Sequence, residues 1–124
     1  MRLNQVTAPS RDVERSIGFY EVLGLKLIVR ALPHYARFEC EGGSTFSVDL
    51  APQAAGGGPT IYLECDDLDR RHADLCERGV TFDQPPTDQS WLWREARLTD
   101  PDGNRLCLYF AGDNRLNPPW RLAE

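Results

Sequence analysis

Few side chains in this 124-residue chain can bind a metal or act as a nucleophile. It has two histidines, His34 and His72, and four cysteines at positions 40, 65, 76 and 107. No two cysteines have the C-x-x-C spacing of zinc and redox motifs, and the N-terminal residues lack the apolar core of a signal peptide. We therefore expect reduced, mostly buried thiols in a cytoplasmic protein, without a disulfide framework.

Charge and hydropathy narrow the class of partner. The formal net charge is −5 and the isoelectric point is near 5.0, which argues against binding to nucleic acid or to an anionic membrane. No apolar run approaches the roughly 20 residues of a membrane-spanning helix. The composition leaves a small molecule or another protein as the expected partner.

The elements that must position these side chains repeat along the chain. Asp12 precedes Gly24 by twelve residues, Asp67 precedes Gly79 by twelve, and the two pairs are 55 residues apart. Each pair encloses apolar residues at helical spacing, so we expect two helices with Asp at the N-cap and Gly at the end. In the second helix, Leu68, Leu75 and Cys76 mark the expected buried face. The repeat predicts a single domain, 1–124, with module 1 (1–52), a Gly-rich linker (53–59), module 2 (60–110) and a C-terminal tail (111–124).

Strand-like segments surround both expected helices. They cover residues 3–7, 26–30, 35–40, 45–50, 60–65, 81–82, 91–98 and 105–110. The order is β-α-β-β-β, twice, which predicts an α+β fold.

Alternation within the strands predicts two different faces. One face is aliphatic and should pack under the helices, with Leu92, Ala96 and Leu98 from one strand and Leu106, Leu108 and Phe110 from another. The opposite face carries aromatic, polar and charged groups, including Tyr62, Glu64, Trp91, Trp93, Glu95, Arg97 and Tyr109. Large aromatic side chains beside a few polar groups are typical of a ligand groove.

Two motifs together connect this pattern to a known family. Asp12–Tyr20 reads D-V-E-R-S-I-G-F-Y and is followed by Leu23-Gly24-Leu25, while Asp100–Gly103 reads D-P-D-G just before the last strand. The chain thereby resembles the vicinal oxygen chelate superfamily of glyoxalases, bleomycin-resistance proteins and extradiol dioxygenases, over roughly residues 3–110. The resemblance implies two tandem βαβββ modules that form a curved mixed sheet around an open groove, with helices on the outer face and chains paired as homodimers.

The resemblance also implies where a divalent metal would bind. The family's four ligand positions correspond here to Gln5, Asp49, Thr60 and Cys107, where the usual residues are His or Gln, Glu, His and Glu. Asp49 is one methylene shorter than Glu, Thr60 is a poor ligand, and Cys107 is a soft ligand suited to zinc. We therefore expect no metal and no other cofactor.

These observations favour a protein that binds and sequesters a small aromatic ligand, neutral or cationic, such as an antibiotic. The expected ligand-binding residues are Gln5, Tyr35, Arg37, Asp49, Thr60, Tyr62, Glu64, Trp91, Trp93, Cys107 and Tyr109. One alternative is a lyase, isomerase or dioxygenase of the same superfamily, with a divergent metal site or with Asp49 or Glu64 as a metal-free acid–base catalyst. Another is an interaction module whose groove accepts a partner's aromatic side chain.

Overall fold

A computed structural model describes residues 1–53 and 56–123 of the chain. Residues 54 and 55 of the expected linker lie outside the described residues. The elements, in chain order, are β1 (Gln5–Ser10), α1 (Val13–Leu23), β2 (Lys26–Ala31), β3 (Tyr35–Glu39), β4 (Thr45–Leu50), β5 (Ile61–Glu64), α2 (Leu68–Glu77), β6 (Gln84–Asp88), β7 (Arg94–Thr99), β8 (Arg105–Phe110) and a 3-10 turn (Gly112–Arg115).

The chain divides into two compact units, each with the predicted β-α-β-β-β order. The first unit contains Met1–Gly58 and Asp100–Asn104, and its strands follow the order β1-β4-β3-β2. The second contains Pro59–Thr99 and Arg105–Glu124, with the order β5-β8-β7-β6. In each sheet the first and last strands of the unit are parallel and the other neighbours are antiparallel. The predicted α+β fold class with two βαβββ modules is confirmed.

Helix α1 begins and ends as its sequence predicts. The Asp12 carboxylate accepts a hydrogen bond from the Arg15 backbone N–H at 3.1 Å, and Gly24 closes the helix with a left-handed φ of 107°. The apolar face buries Tyr20, whose ring centroid lies 5.6 Å from that of Phe38 and 4.7 Å from that of Phe46. These rings form the centre of the first unit's core.

Helix α2 is less apolar than α1. Asp67 occupies its N-cap position, and Gly79, with φ 91°, follows directly after the C-cap residue Arg78. The helix buries Leu68 and Leu75. The expectation that Cys76 lies on the buried face is wrong, because the structure leaves it exposed.

Six of the eight strands differ in their bounds from the sequence prediction, β2, β3 and β5 by one residue at one or both ends and β1, β6 and β7 by more. Strand β1 is Gln5–Ser10, against the predicted 3–7. Strand β6 is Gln84–Asp88, later than the predicted 81–82, and includes Pro85 and Pro86. Prolines, which lack an N–H, are tolerated there because β6 is an edge strand whose register shifts between Gln84 and Thr87.

Strand β7 begins only at Arg94, so the segment before it does not follow strand alternation. Leu92 has a φ of 68° and is 46% exposed, so the prediction that it faces inward is wrong. Phe110, also predicted inward, is 41% exposed at the end of β8. Both errors arise because period-two alternation fixes a side chain only where the strand is regular and covered.

The turn from Asp100 to Asn104 belongs to the first unit. The buried Asp102 carboxylate accepts hydrogen bonds from the Arg11 Nε at 3.1 Å, the Arg15 Nη2 at 3.0 Å and the Ser16 hydroxyl at 3.2 Å. Asp102 of the D-P-D-G motif therefore connects this turn to the start of α1 through charged hydrogen bonds.

Candidate functional site

Three aromatic side chains meet on one face of the second sheet. Tyr62, Trp93 and Tyr109 form this aromatic cluster. Trp93 and Tyr109 stack with centroids 4.6 Å apart and planes 16° apart, and Tyr62 meets both edge-on at 5.8 and 5.7 Å. The register explains the assembly, since Tyr62 lies opposite Cys107 and Glu64 opposite Tyr109 across the β5–β8 pair. The prediction that these aromatic residues share one face is confirmed.

A buried carboxylate lies beside the aromatic cluster. Glu95 is opposite Tyr109 across the β7–β8 pair and is only 1% exposed. Its Oε2 accepts a hydrogen bond from the Trp91 indole N–H at 2.9 Å, and its Oε1 accepts from Arg97 Nη2 at 2.9 Å and Nε at 3.2 Å. These hydrogen bonds satisfy a charge that would otherwise be costly to bury.

Arg97 connects this carboxylate to the aromatic cluster. Its guanidinium carbon lies 6.0 Å from the centroid of the Tyr62 ring. The hydrogen bond to Glu95 raises the pKa of Arg97 above its ordinary value. Glu95 and Arg97 are absent from the ligand-binding set expected from sequence, although strand alternation had already placed both on this face.

The aromatic surfaces of this face differ in their access to solvent. Tyr62 is 45% exposed and Trp91 is 43% exposed, whereas Tyr109 is buried and stacks on Trp93. Trp91 reaches the face from the turn before β7, not from the strand that the sequence predicted. The rings available to a ligand are therefore mainly those of Tyr62 and Trp91.

Cys107 cannot act readily as a nucleophile. The residue is fully buried, and burial, reinforced by the nearby Glu95 carboxylate, raises the pKa of its thiol to about 12. A protonated thiol is neither a good nucleophile nor a good metal ligand. Cys107 is therefore a packing residue of the small core cluster that also contains Tyr109 and against which Trp93 packs.

The first unit presents a polar face with its own hydrogen-bond pairs. Gln5 Oε1 accepts from the Thr45 hydroxyl at 2.8 Å, and the Thr7 and Ser47 hydroxyl oxygens are 2.6 Å apart.

On the neighbouring strand of that face, Arg37 Nε donates to Tyr35 Oη at 2.8 Å. A hydrogen bond with Ser47, reinforced by Arg37, lowers the pKa of Tyr35. Asp49 lies opposite Tyr35 in the register and is exposed.

The residues at the implied metal positions do not fit a metal ion. Gln5 lies opposite Thr45 in the register, whereas Asp49 is four residues further along β4. At a rise of ~3.3 Å per residue, Asp49 is about 13 Å along the strand from Thr45. In the second unit Thr60 precedes β5, and Tyr62 is the residue opposite the protonated Cys107. Throughout residues 1–53 and 56–123, no group of three or more His, Cys, Asp or Glu side chains is arranged to hold a metal.

Neither histidine lies on a strand. His34 is exposed in the turn between β2 and β3. His72 lies on α2, with its ring edge-on to Phe82 at 4.5 Å and its Nε2 3.5 Å from Cys76 Sγ. The four cysteines are free thiols, as the sequence predicts, with Cys65 and Cys107 buried.

Fold, motifs and comparison agree on the class of this protein. The family model for the glyoxalase/bleomycin resistance protein/dioxygenase superfamily matches residues 2–108, so the chain belongs to that superfamily. No curated protein matches the chain. Within the described residues, no helix is long and apolar enough to cross a membrane.

Solved structures of the same superfamily share the fold. A glyoxalase/bleomycin resistance protein/dioxygenase from Nocardioides is 23% identical, with a TM-score of 0.77 over 99% of this chain and 90% of that one. A bleomycin-binding protein in complex with bleomycin is 24% identical, with a TM-score of 0.70 over 89% and 98%. A lactoylglutathione lyase from Agrobacterium tumefaciens is 13% identical, with a TM-score of 0.74 over 88% and 92%. Similarity at these identities shows the fold alone.

Proposed function

We propose that this protein binds and sequesters a small aromatic ligand, neutral or cationic, without using a metal. The observation that carries the proposal is the pair of exposed rings, Tyr62 and Trp91, beside the buried Glu95 carboxylate. Planar ligands gain from stacking on such rings, and the indole of Trp91 is held in place by its hydrogen bond to Glu95. A bleomycin-binding structure of the same superfamily makes an antibiotic a reasonable ligand class.

Charge favours a neutral or cationic ligand over an anion. Beside the aromatic cluster the Glu64 carboxylate is exposed, whereas the Arg97 guanidinium is paired with the buried Glu95. A cation placed over an aromatic ring gains about 0.5–2 kcal/mol, depending on how far it is desolvated. The polar residues of the first unit that the sequence analysis named, including Gln5, Tyr35, Arg37 and Asp49, remain proposed ligand contacts.

The proposal is tested by titrating the protein with bleomycin and, separately, with ethidium as a simple planar cation. Trp91→Ala removes a stacking surface and should weaken binding by about 0.5–1.5 kcal/mol, or roughly two- to tenfold. Trp91→Phe keeps a ring but lacks the N–H that Glu95 accepts, so it separates stacking from anchoring. Trp120→Ala, an exposed Trp in the same unit, is the matched control.

The two alanine variants decide between the possible outcomes. Weaker binding in Trp91→Ala, with Trp120→Ala unchanged, supports the proposal. Failure of both probes to bind the native protein, or equal affinity in the two alanine variants, overturns it. The affinity of ethidium should also be the same with and without EDTA, because no step of this binding uses a metal.

We also propose that the chain is a homodimer in the cytoplasm. The support for the dimer is the sequence resemblance to the superfamily. Sedimentation equilibrium at several concentrations tests it, and a mass of 14.0 kDa at every concentration would contradict it.

A further inference from the structure

A thiol and an imidazole are paired on α2, apart from the proposed ligand face. His72 and Cys76 are four residues apart and therefore lie on the same side of the helix. The Cys76 Sγ is 3.5 Å from the His72 Nε2, and Cys76 is exposed. The Phe82 ring packs edge-on against the imidazole at 4.5 Å, which restricts how His72 can turn.

This separation is that of two neighbouring ligands in a tetrahedral zinc site. Zinc binds cysteine sulfur at about 2.3 Å and histidine nitrogen at about 2.0–2.1 Å, so tetrahedral angles place the two ligand atoms about 3.5–3.6 Å apart. The separation of Cys76 Sγ and His72 Nε2 therefore matches the distance required between two ligand atoms. A thiolate with an imidazole also prefers zinc over the hard cations magnesium and calcium.

We propose that His72 and Cys76 form a two-ligand surface site for Zn²⁺. His72 binds through Nε2 as neutral imidazole, and Cys76 binds as thiolate after losing its proton to solvent. Water completes the coordination. The exposed Cys76 thiol can meet the ion directly, whereas the buried Cys65 and Cys107 cannot.

Zinc titration of the full chain, followed by calorimetry, tests the site. The native protein should bind one Zn²⁺ at this pair, and both His72→Gln and Cys76→Ser should weaken binding at least about tenfold, as expected when a metal's ligand shell is altered. His34→Gln and Cys40→Ser are matched controls, because each removes the same kind of side chain elsewhere, and neither should change the affinity. Circular dichroism confirms that α2 remains folded in every variant.

A second readout identifies the sulfur ligand. Cd²⁺ bound to thiolate gives an ultraviolet charge-transfer band, which should appear with the native protein and disappear in Cys76→Ser. Excess Zn²⁺ should remove the band by competition. Absence of zinc binding by the native protein, equal affinity in His72→Gln, or a cadmium band that persists in Cys76→Ser would each overturn the proposal.

Discussion

The hydrogen bond between Tyr20 and Asp100 makes a measurable contribution to stability. The Tyr20 hydroxyl donates to Asp100 Oδ2 at 2.6 Å, and both residues are buried. Tyr20→Phe keeps the ring that packs between Phe38 and Phe46 and removes only the donor. A hydrogen bond to a charged group contributes about 1.5–3 kcal/mol.

The remaining donors place the expected loss at the lower end of that range. Asp100 Oδ2 still accepts from Asn104 Nδ2 at 2.8 Å, and Oδ1 still accepts from the backbone N–H groups of Asp102 and Asn104, both at 2.9 Å. The carboxylate is therefore not stranded, and we expect Tyr20→Phe to lower the free energy of unfolding by about 1.5 kcal/mol.

Urea denaturation measures this loss. With a slope of about 1–3 kcal/mol/M, the midpoint should fall by about 0.5–1.5 M while the slope stays constant. Tyr62→Phe is the control, because its exposed hydroxyl is 3.5 Å from Arg97 and its loss should change stability by less than about 0.5 kcal/mol. Equal midpoints for Tyr20→Phe and Tyr62→Phe would refute the reasoning.

Three further predictions concern pH, thiol reactivity and backbone geometry. Burial by itself would raise the pKa of Asp102. Hydrogen bonds outweigh burial, chiefly those from the backbone N–H and the guanidinium of Arg11, and hold that pKa below the ordinary value of about 3.9. The stability that the Asp102 carboxylate contributes is thus present above about pH 4 and is lost as pH falls through the lower native pKa. The urea midpoint should therefore differ less between pH 7 and pH 3 in Asp102→Asn than in the native protein, and an unchanged difference would contradict this. Because burial raises the pKa of Cys107 to about 12, Ellman's reagent at pH 8 should modify the exposed Cys76 first and Cys107 only on unfolding; a fast phase that survives Cys76→Ser would count against this. Gly56→Ala should cost at least about 1 kcal/mol more than Gly57→Ala in urea denaturation. Both glycines have positive φ, but a Cβ on Gly56 would lie 2.6 Å from a carbonyl oxygen of the β7–β8 turn, whereas at Gly57 it meets nothing within 4 Å among the described residues, so equal losses would disprove the clash.

Much of the fold could be predicted because its signals are local. Helix α1 followed from apolar residues at helical spacing and from a capping Asp, and the structure buries Val13, Ile17, Tyr20 and Leu23 and keeps Asp12 at the N-cap. Strand β6 was misplaced because Pro85 and Pro86 argue against a strand unless its position at a sheet edge is known.

The candidate site was predicted in part. Alternation brought Tyr62, Trp93 and Tyr109 to one face, and the structure confirms their contact. It could not show that Tyr109 and Trp93 stack on each other and leave Tyr62 more accessible, because stacking depends on side-chain rotamers and on neighbouring strands.

The sequence by itself determined the βαβββ repeat, the family resemblance and the aromatic character of one sheet face. These depend on periodicity and on capping and turn residues, which act over a few positions. Only the tertiary structure decided that Gln5 lies opposite Thr45, four residues from Asp49 along β4. It also decided that Glu95 is buried and hydrogen-bonded to both Trp91 and Arg97. Register and burial are set by pairing between segments distant in the chain, so no local pattern specifies them.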